Sequence, residues 1–107
     1  MNKKFLALLG LCQKAGRLGS GEYQTETSVK SGKAWLVIVA EDASDNTKKK
    51  FKDMCSFYEV PYVECGTKEI LAGAIGKEMR SSIAVCDEGF GNSLLKLSDG
   101  FRKTTEE

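Results

Sequence analysis

Residues 16–50 read GRLGSGEYQTETSVKSGKAWLVIVAEDASDNTKKK, and the fold turns on this stretch. A glycine-rich turn, Gly19-Ser20-Gly21, opens directly into a short helical pattern near Glu22–Ser31, which Gly32 closes. The run Trp35–Ala40 (WLVIVA) is short, continuous, bulky and partly β-branched, as a buried strand is. It ends in Glu41 and Asp42, after which Ser44 or Asp45 caps another helix reaching about Tyr58. Phe51, Met54, Cys55 and Tyr58 recur at helical spacing and mark its core-facing stripe.

The same alternation continues outward in both directions. Upstream, Phe5, Leu8, Leu9 and Cys12 share one face of a helix over Lys3–Ala15, with Gly16 as its stop and a short extended piece at Arg17–Ser20. Downstream, Pro61–Cys65 reads as a strand, Thr67 caps a helix over Lys68–Ile75, and a polar loop spans Gly76–Ser81. Ser82–Cys86 is a further strand and Phe90–Leu97 a last helix. Strands separated by helices predict an α/β/α sandwich on a mostly parallel sheet. The expected domain covers residues 1–98, with 99–107 a frayed polar tail.

Bulk properties fit one globular domain: 107 residues, 41% hydrophobic and 29% charged, with a net charge of only +1. A balance this even neither demands nor excludes a nucleic-acid partner, so any basic patch has to come from position. Histidine is absent, which removes the usual general base near neutral pH and the commonest metal ligand. Cys12, Cys55, Cys65 and Cys86 form no C-x-x-C pair and are expected to be buried, reduced thiols. MNKKFLALLGLC imitates a lipoprotein signal, but bulky Leu11 precedes the cysteine and the helical pattern runs on through Ala15. It reads as a core helix of a cytoplasmic protein, and no segment is long enough to span a membrane.

Three constellations carry chemistry. The Gly19-Ser20-Gly21 turn lacks a dinucleotide fingerprint and a nucleotide phosphate loop, yet it opens a helix whose polar face offers Tyr23, Gln24 and Thr27. The acidic pairs Glu41-Asp42 and Asp87-Glu88 each end a strand. On one sheet edge they would suit Mg²⁺ or acid–base chemistry, whereas the simpler reading is that they favour the helix N-termini that follow. Lys48, Lys49, Lys50 and Lys52 spread around a helix surface, while Lys14, Arg17, Lys30, Lys33, Lys68, Lys77 and Arg80 flank the glycine turn or the fourth helix.

The order helix, G-x-x-x-x-x-x-x-V-K-x-G, A-x-L-V-I-V-A-E-D-A, then V-P-Y and T-K-E-I-L-A, resembles the superfamily of kink-turn-binding ribosomal proteins of the archaeal and eukaryotic "seven-Ae" type. LLGLCQKAGRLGSGE, EDASDNTKKK, YEVPY, IGKE and DEGFGN resemble its bacterial YlxQ-like branch, and the likeness covers about residues 3–97. The resemblance implies a three-layer α/β/α sandwich on a small mixed, mostly parallel four-stranded sheet. It also implies a non-enzymatic, cytoplasmic protein with a structured, kinked RNA as partner and no cofactor, metal, membrane or DNA. In that superfamily the glycine turn and the following helix grip sheared G·A pairs, and the loop before the last strand covers an extruded nucleotide.

Carried over, Gly21 matches the helix-opening glycine and Lys68 the basic residue after the long strands, while Tyr23, Gln24 and Thr27 replace the family's asparagine, glutamate and lysine. Gly76 and Ser81 replace apolar loop residues, with Lys77 and Arg80 alongside. The expected RNA contacts are therefore the backbone N–H groups of Gly21 and Glu22, the side chains of Tyr23, Gln24 and Thr27, and the cations Lys68, Lys77 and Arg80. Two other classes stay open: a protein-interaction module that has kept the fold without the RNA, and a nucleotide-binding enzyme using Asp42 and Asp87.

Overall fold

The computed structural model describes the backbone of residues 2–106 and the side chains of residues 2–98. Helix α1 (Lys3–Lys14) begins where Asn2 accepts hydrogen bonds from the N–H groups of Lys4 and Phe5, and it buries Phe5, Leu9 and Cys12. There follow β1 (Leu18–Ser20), α2 (Glu22–Lys30), β2 (Leu36–Val39), α3 (Asp45–Tyr58), β3 (Tyr62–Glu64), α4 (Lys68–Ile75), β4 (Ser82–Val85) and α5 (Glu88–Glu106). Ser44 caps α3 and Thr67 caps α4, each hydroxyl accepting from a backbone N–H three residues on, at 3.1 Å. The tail expected to fray, 99–107, has its side chains outside the described residues.

α2 and α3 pack together on one face of the sheet, while α1 packs against α4 and α5 on the other, which makes the three expected layers. β2 and β4 lie side by side in the middle and are buried at every position. Leu36, Ile38, Ile83 and Val85 are fully buried, and truncating any of the first three to alanine costs ~2–5 kcal/mol. The α3 stripe is narrower than its spacing suggests. Phe51 and Cys55 are buried, but Met54 is only half-buried and Tyr58 is exposed.

The sheet is mixed, as expected, but it is not mostly parallel. Its order is β1-β4-β2-β3; only β2–β3 pairs parallel, while β1–β4 and β2–β4 are antiparallel. Counting helix-separated strands as parallel crossovers fails at α4. The loop after α4 doubles back along the helix, and Arg80 N–H donates to the carbonyl of Lys68, at the helix's own start. The chain re-enters the sheet at the end where β3 left it, and β4 runs against the other three strands.

Candidate nucleic-acid interface

Because β4 is reversed, the carboxyl ends of β1, β2 and β3 share one end of the sheet with the start of β4. The four loops meeting there are bonded to one another. Gly21 N–H donates to Ser82 O at 2.9 Å, Ala40 N–H to Ser81 O at 2.9 Å and Glu41 N–H to Gly66 O at 2.8 Å. Asp42 Oδ1 accepts from Lys68 N–H at 2.9 Å, and Arg80 Nε donates to Ser20 Oγ at 3.2 Å.

Gly21 stands at φ 93°, ψ 163°, a conformation denied to residues with a Cβ, and therefore serves as a side-chain-free N-cap of α2. Its own N–H is engaged by Ser82, which corrects the expectation that this group faces RNA. The open donors are those of the first helical turn, starting at Glu22, since no side chain caps it. Arg80 lies close behind, its Nε 3.9 Å from where a Gly21 Cβ would stand.

α2 presents three different faces. Tyr23 is 81% exposed and points outward, with Thr27 exposed one turn further along the same side. Gln24 turns toward the sheet edge, where its Oε1 accepts from Ser20 N–H at 3.3 Å, leaving the amide nitrogen as the outward donor. Glu22 and Glu26 face α3 and clamp Lys50 Nζ at 2.7 and 2.8 Å, with Lys30 closing on Glu26 at 2.7 Å. The hydrogen bonds from Lys30 and Lys50 bring the Glu26 carboxyl down to about 2, and those from Glu22 and Glu26 raise the Lys50 ammonium above its ordinary value.

The lysine run of α3 is thus largely neutralised. Lys48 faces Glu64 at 3.8 Å, Lys49 holds Asp53 at 2.9 Å, and Lys52 lies over the Tyr62 ring. Among the described residues Lys68, Lys77 and Arg80 stand in no ion pair. Lys68 and Arg80 belong to the stitched end. Arg80 also donates to the carbonyls of Glu78 and Met79, so it braces its loop as well as carrying charge. Lys77 lines an open hollow against α4 with Glu69, Glu78 and Met79, on the stretch of loop that leads into Arg80.

Sequence reasoning missed Ser20 and Asp42 as the anchors of this end, and it missed Met79, which is 57% exposed beside Arg80. A large apolar residue in an otherwise polar loop was the available signal. The acidic pairs do not share an edge, because β2 and β4 are antiparallel. Asp42 binds the start of α4, and Asp87 Oδ2 accepts from Phe90 N–H in the first turn of α5, so each fixes a helix. Cys12, Cys55 and Cys65 are buried free thiols; Cys86 is only half-buried, because it lies just past the covered part of β4. No helix of the described residues is long and apolar enough to cross a membrane.

The profile of the ribosomal protein L7Ae/L30e/S12e/Gadd45 family matches residues 3–95, and the chain belongs to this family. It is similar to the RNA-binding protein YlxQ of Bacillus subtilis (strain 168), 42% identical over 90% of this chain and 96% of that relative. It is likewise similar to the RNA-binding protein YlxQ of Enterococcus faecium, 41% identical over 92% of this chain and 94% of the relative. Neither name describes an enzyme. A solved structure of a Bacillus halodurans protein of unknown function superposes with a TM-score of 0.88 at 42% identity, covering 92% of this chain and 99% of the other. The Giardia lamblia 15.5kD RNA binding protein shares the fold at a TM-score of 0.76 and 24% identity, over 94% and 89% of the two chains.

Proposed function

We propose that this protein binds RNA, and that it docks a bent or kink-turn-like structured RNA, ribosomal or of another origin, in the cytoplasm. The observation that carries the reading is the stitched end of the sheet. Four loops are held there by hydrogen bonds between distant residues, around a helix start whose donors no side chain caps. Family membership and the names of the relatives support RNA as the class of partner. Four free thiols fit a reducing compartment.

In this reading the first-turn N–H groups of α2 meet a phosphate or sugar edge, and Gly21 lets the RNA backbone approach by presenting no side chain. Tyr23 stacks on an unpaired base, and the Gln24 amide nitrogen donates to a base edge or phosphate oxygen, with Thr27 hydrogen-bonding beyond it. Lys68, Arg80 and Lys77 neutralise phosphates, and Met79 supplies the apolar cover for an extruded nucleotide. The replaced asparagine and glutamate positions make the docking shape-directed more than base-coded.

The test is a salt-dependent titration of kink-turn RNA and of a matched straight duplex, using wild type, Lys68→Ala and Gln24→Ala. Preference for the kinked RNA, weakened by both changes, is expected. Lys68→Ala should also flatten the log–log salt dependence by about 0.9. Equal, weak binding to both RNAs would overturn the reading and favour a protein-interaction module.

A further inference from the structure

At the other end of the sheet lies a cleft that the proposed kink-docking surface does not use. It is an open hollow of about 560 Å³ beside the outer edge of β1, lined by Arg17, Gly19, Ser28, Lys33, Trp35 and Cys86. That is room for a nucleobase and part of its sugar. Arg17 and Lys33 follow the turns that end α1 and α2, reach the hollow from two sides, and are both exposed. Neither stands in an ion pair among the described residues. Asp87 follows Cys86 of the lining and caps α5, its Oδ2 accepting from Phe90 N–H at 2.9 Å.

Trp35 gives the cleft its character. It precedes β2, donates its backbone N–H to Val85 O at 2.7 Å, and is backed by Gly91, where an added Cβ would stand 3.0 Å from its own Cβ. Yet the residue is 48% exposed and lines the hollow. An indole fixed at its base, open on one side and flanked by two unpaired cations, suits a base stacked on a ring with its phosphates held beside it. Basic residues at helix C-termini also complement the helix dipoles, but that role needs neither the cleft nor the indole.

We infer that the Arg17–Lys33–Trp35 cleft binds single-stranded RNA, stacking a base on Trp35 and holding its phosphates with Arg17 and Lys33. The inference rests on the RNA-binding reading above and extends it to strand flanking the structured element. Arg17 and Gly21 are four strand residues apart, about 13 Å, which about four stacked nucleotides span.

Trp35 is the chain's sole tryptophan, so its emission reports on the cleft alone. The full chain is titrated at low salt with an eight-nucleotide oligoadenylate, which has no kink to engage the stitched end. Saturable quenching is expected, with the dissociation constant raised at least tenfold in an Arg17→Ala/Lys33→Ala variant and unchanged in Lys68→Ala. The double variant should also lower the log–log salt slope by about 1.4, the share of two single-strand phosphates. Both substituted side chains are exposed, and unchanged thermal melts establish that the fold is retained. Three results would each overturn the inference: no change in emission, the same curve for the double variant, or equal loss in Lys68→Ala. Kinked RNA without overhangs tests the other surface separately, so failure of either reading leaves the other measurable.

Discussion

After β2, Asp42 reaches 26 residues along the chain to hold the start of α4, and Arg80 reaches 60 residues back to Ser20. After β4, at the opposite end of the sheet, Asp87 reaches only three residues to Phe90, and Cys12 only five to the carbonyl of Arg17. The two ends use similar parts, an acidic residue after a strand and a glycine turn beside a helix. One is tied together by long-range bonds and so presents its donors and cations in a fixed arrangement. The other is also crossed by long-range backbone bonds, Trp35 N–H to Val85 O and Cys86 N–H to Arg17 O. The side-chain bonds of Asp87 and Cys12 there are local, however, and a cleft is left between its turns. Preorganisation of the first kind lowers the ordering cost of binding a shaped partner, whereas the second tolerates a flexible one.

The sharpest contrast between the ends is in their cysteines. Burial, with Glu41 close by, pushes the Cys65 thiol up to about 12, which leaves on the order of a hundred to a thousand times less thiolate than an ordinary thiol has. Cys86 at the cleft is half-buried. Ellman's reagent at pH 8 should modify Cys86 at least a hundredfold faster than Cys65, and faster than the buried Cys12 and Cys55; comparable rates for Cys86 and Cys65 would mean that the stitched end opens as readily as the cleft.

Next in size are the glycines. Gly21→Val places a β-branched residue at φ 93° and should cost ~1–3 kcal/mol in urea denaturation, with at least a tenfold loss of kinked-RNA affinity. If stability is unchanged, that end is not fixed by its backbone. Gly91→Ala at the far end presses on the Trp35 Cβ and should cost ~1 kcal/mol and shift tryptophan emission, while leaving kinked-RNA binding intact.

Asp42→Ala and Asp87→Ala each remove one acceptor from a helix start, at ~1 kcal/mol apiece by denaturation. Only the first should also weaken kinked-RNA binding; parallel losses would erase the distinction between the two ends. The smallest effect concerns the clamp on Lys50. Glu26 ionises more readily in the fold than unfolded, so its contribution is present above pH 4.5 and fades as pH falls toward about 2. Wild type should lose slightly more stability than Glu26→Gln between pH 6 and pH 3, a difference kept small by solvent screening at this exposed site.

The layers and most element positions were legible in the sequence, because caps at Ser44 and Thr67 and the apolar runs ending at Ala40 and Cys86 are local signals. Strand direction was not, because β4 is set by pairing with β1 and β2, segments distant in the chain, which no local pattern encodes. The same blindness hid the roles within the site. Gly21 and Gln24 were singled out as residues, but the engagement of the Gly21 N–H with Ser82 follows from where β4 inserts, and the Gln24 bond to Ser20 N–H from how α2 turns back on β1. Lys77 shows the converse: it is near Arg80 in sequence, yet it lines a hollow against α4 and takes no part in the bonds that tie Arg80 to Ser20 and Lys68.

The place of β4 also sets an order of events during synthesis. β1 has no strand neighbour except β4, and β2 meets β1 only through it. Until residues 82–85 leave the ribosome, the first strand has nothing to pair with, and the central row of the sheet stands open along one side. Completion therefore waits for β4, which follows the other three strands in the chain and must insert between β1 and β2. Such late, non-local closure predicts slow folding for a domain of this size, and an exposed strand edge in any nascent or truncated chain ending before Ser82.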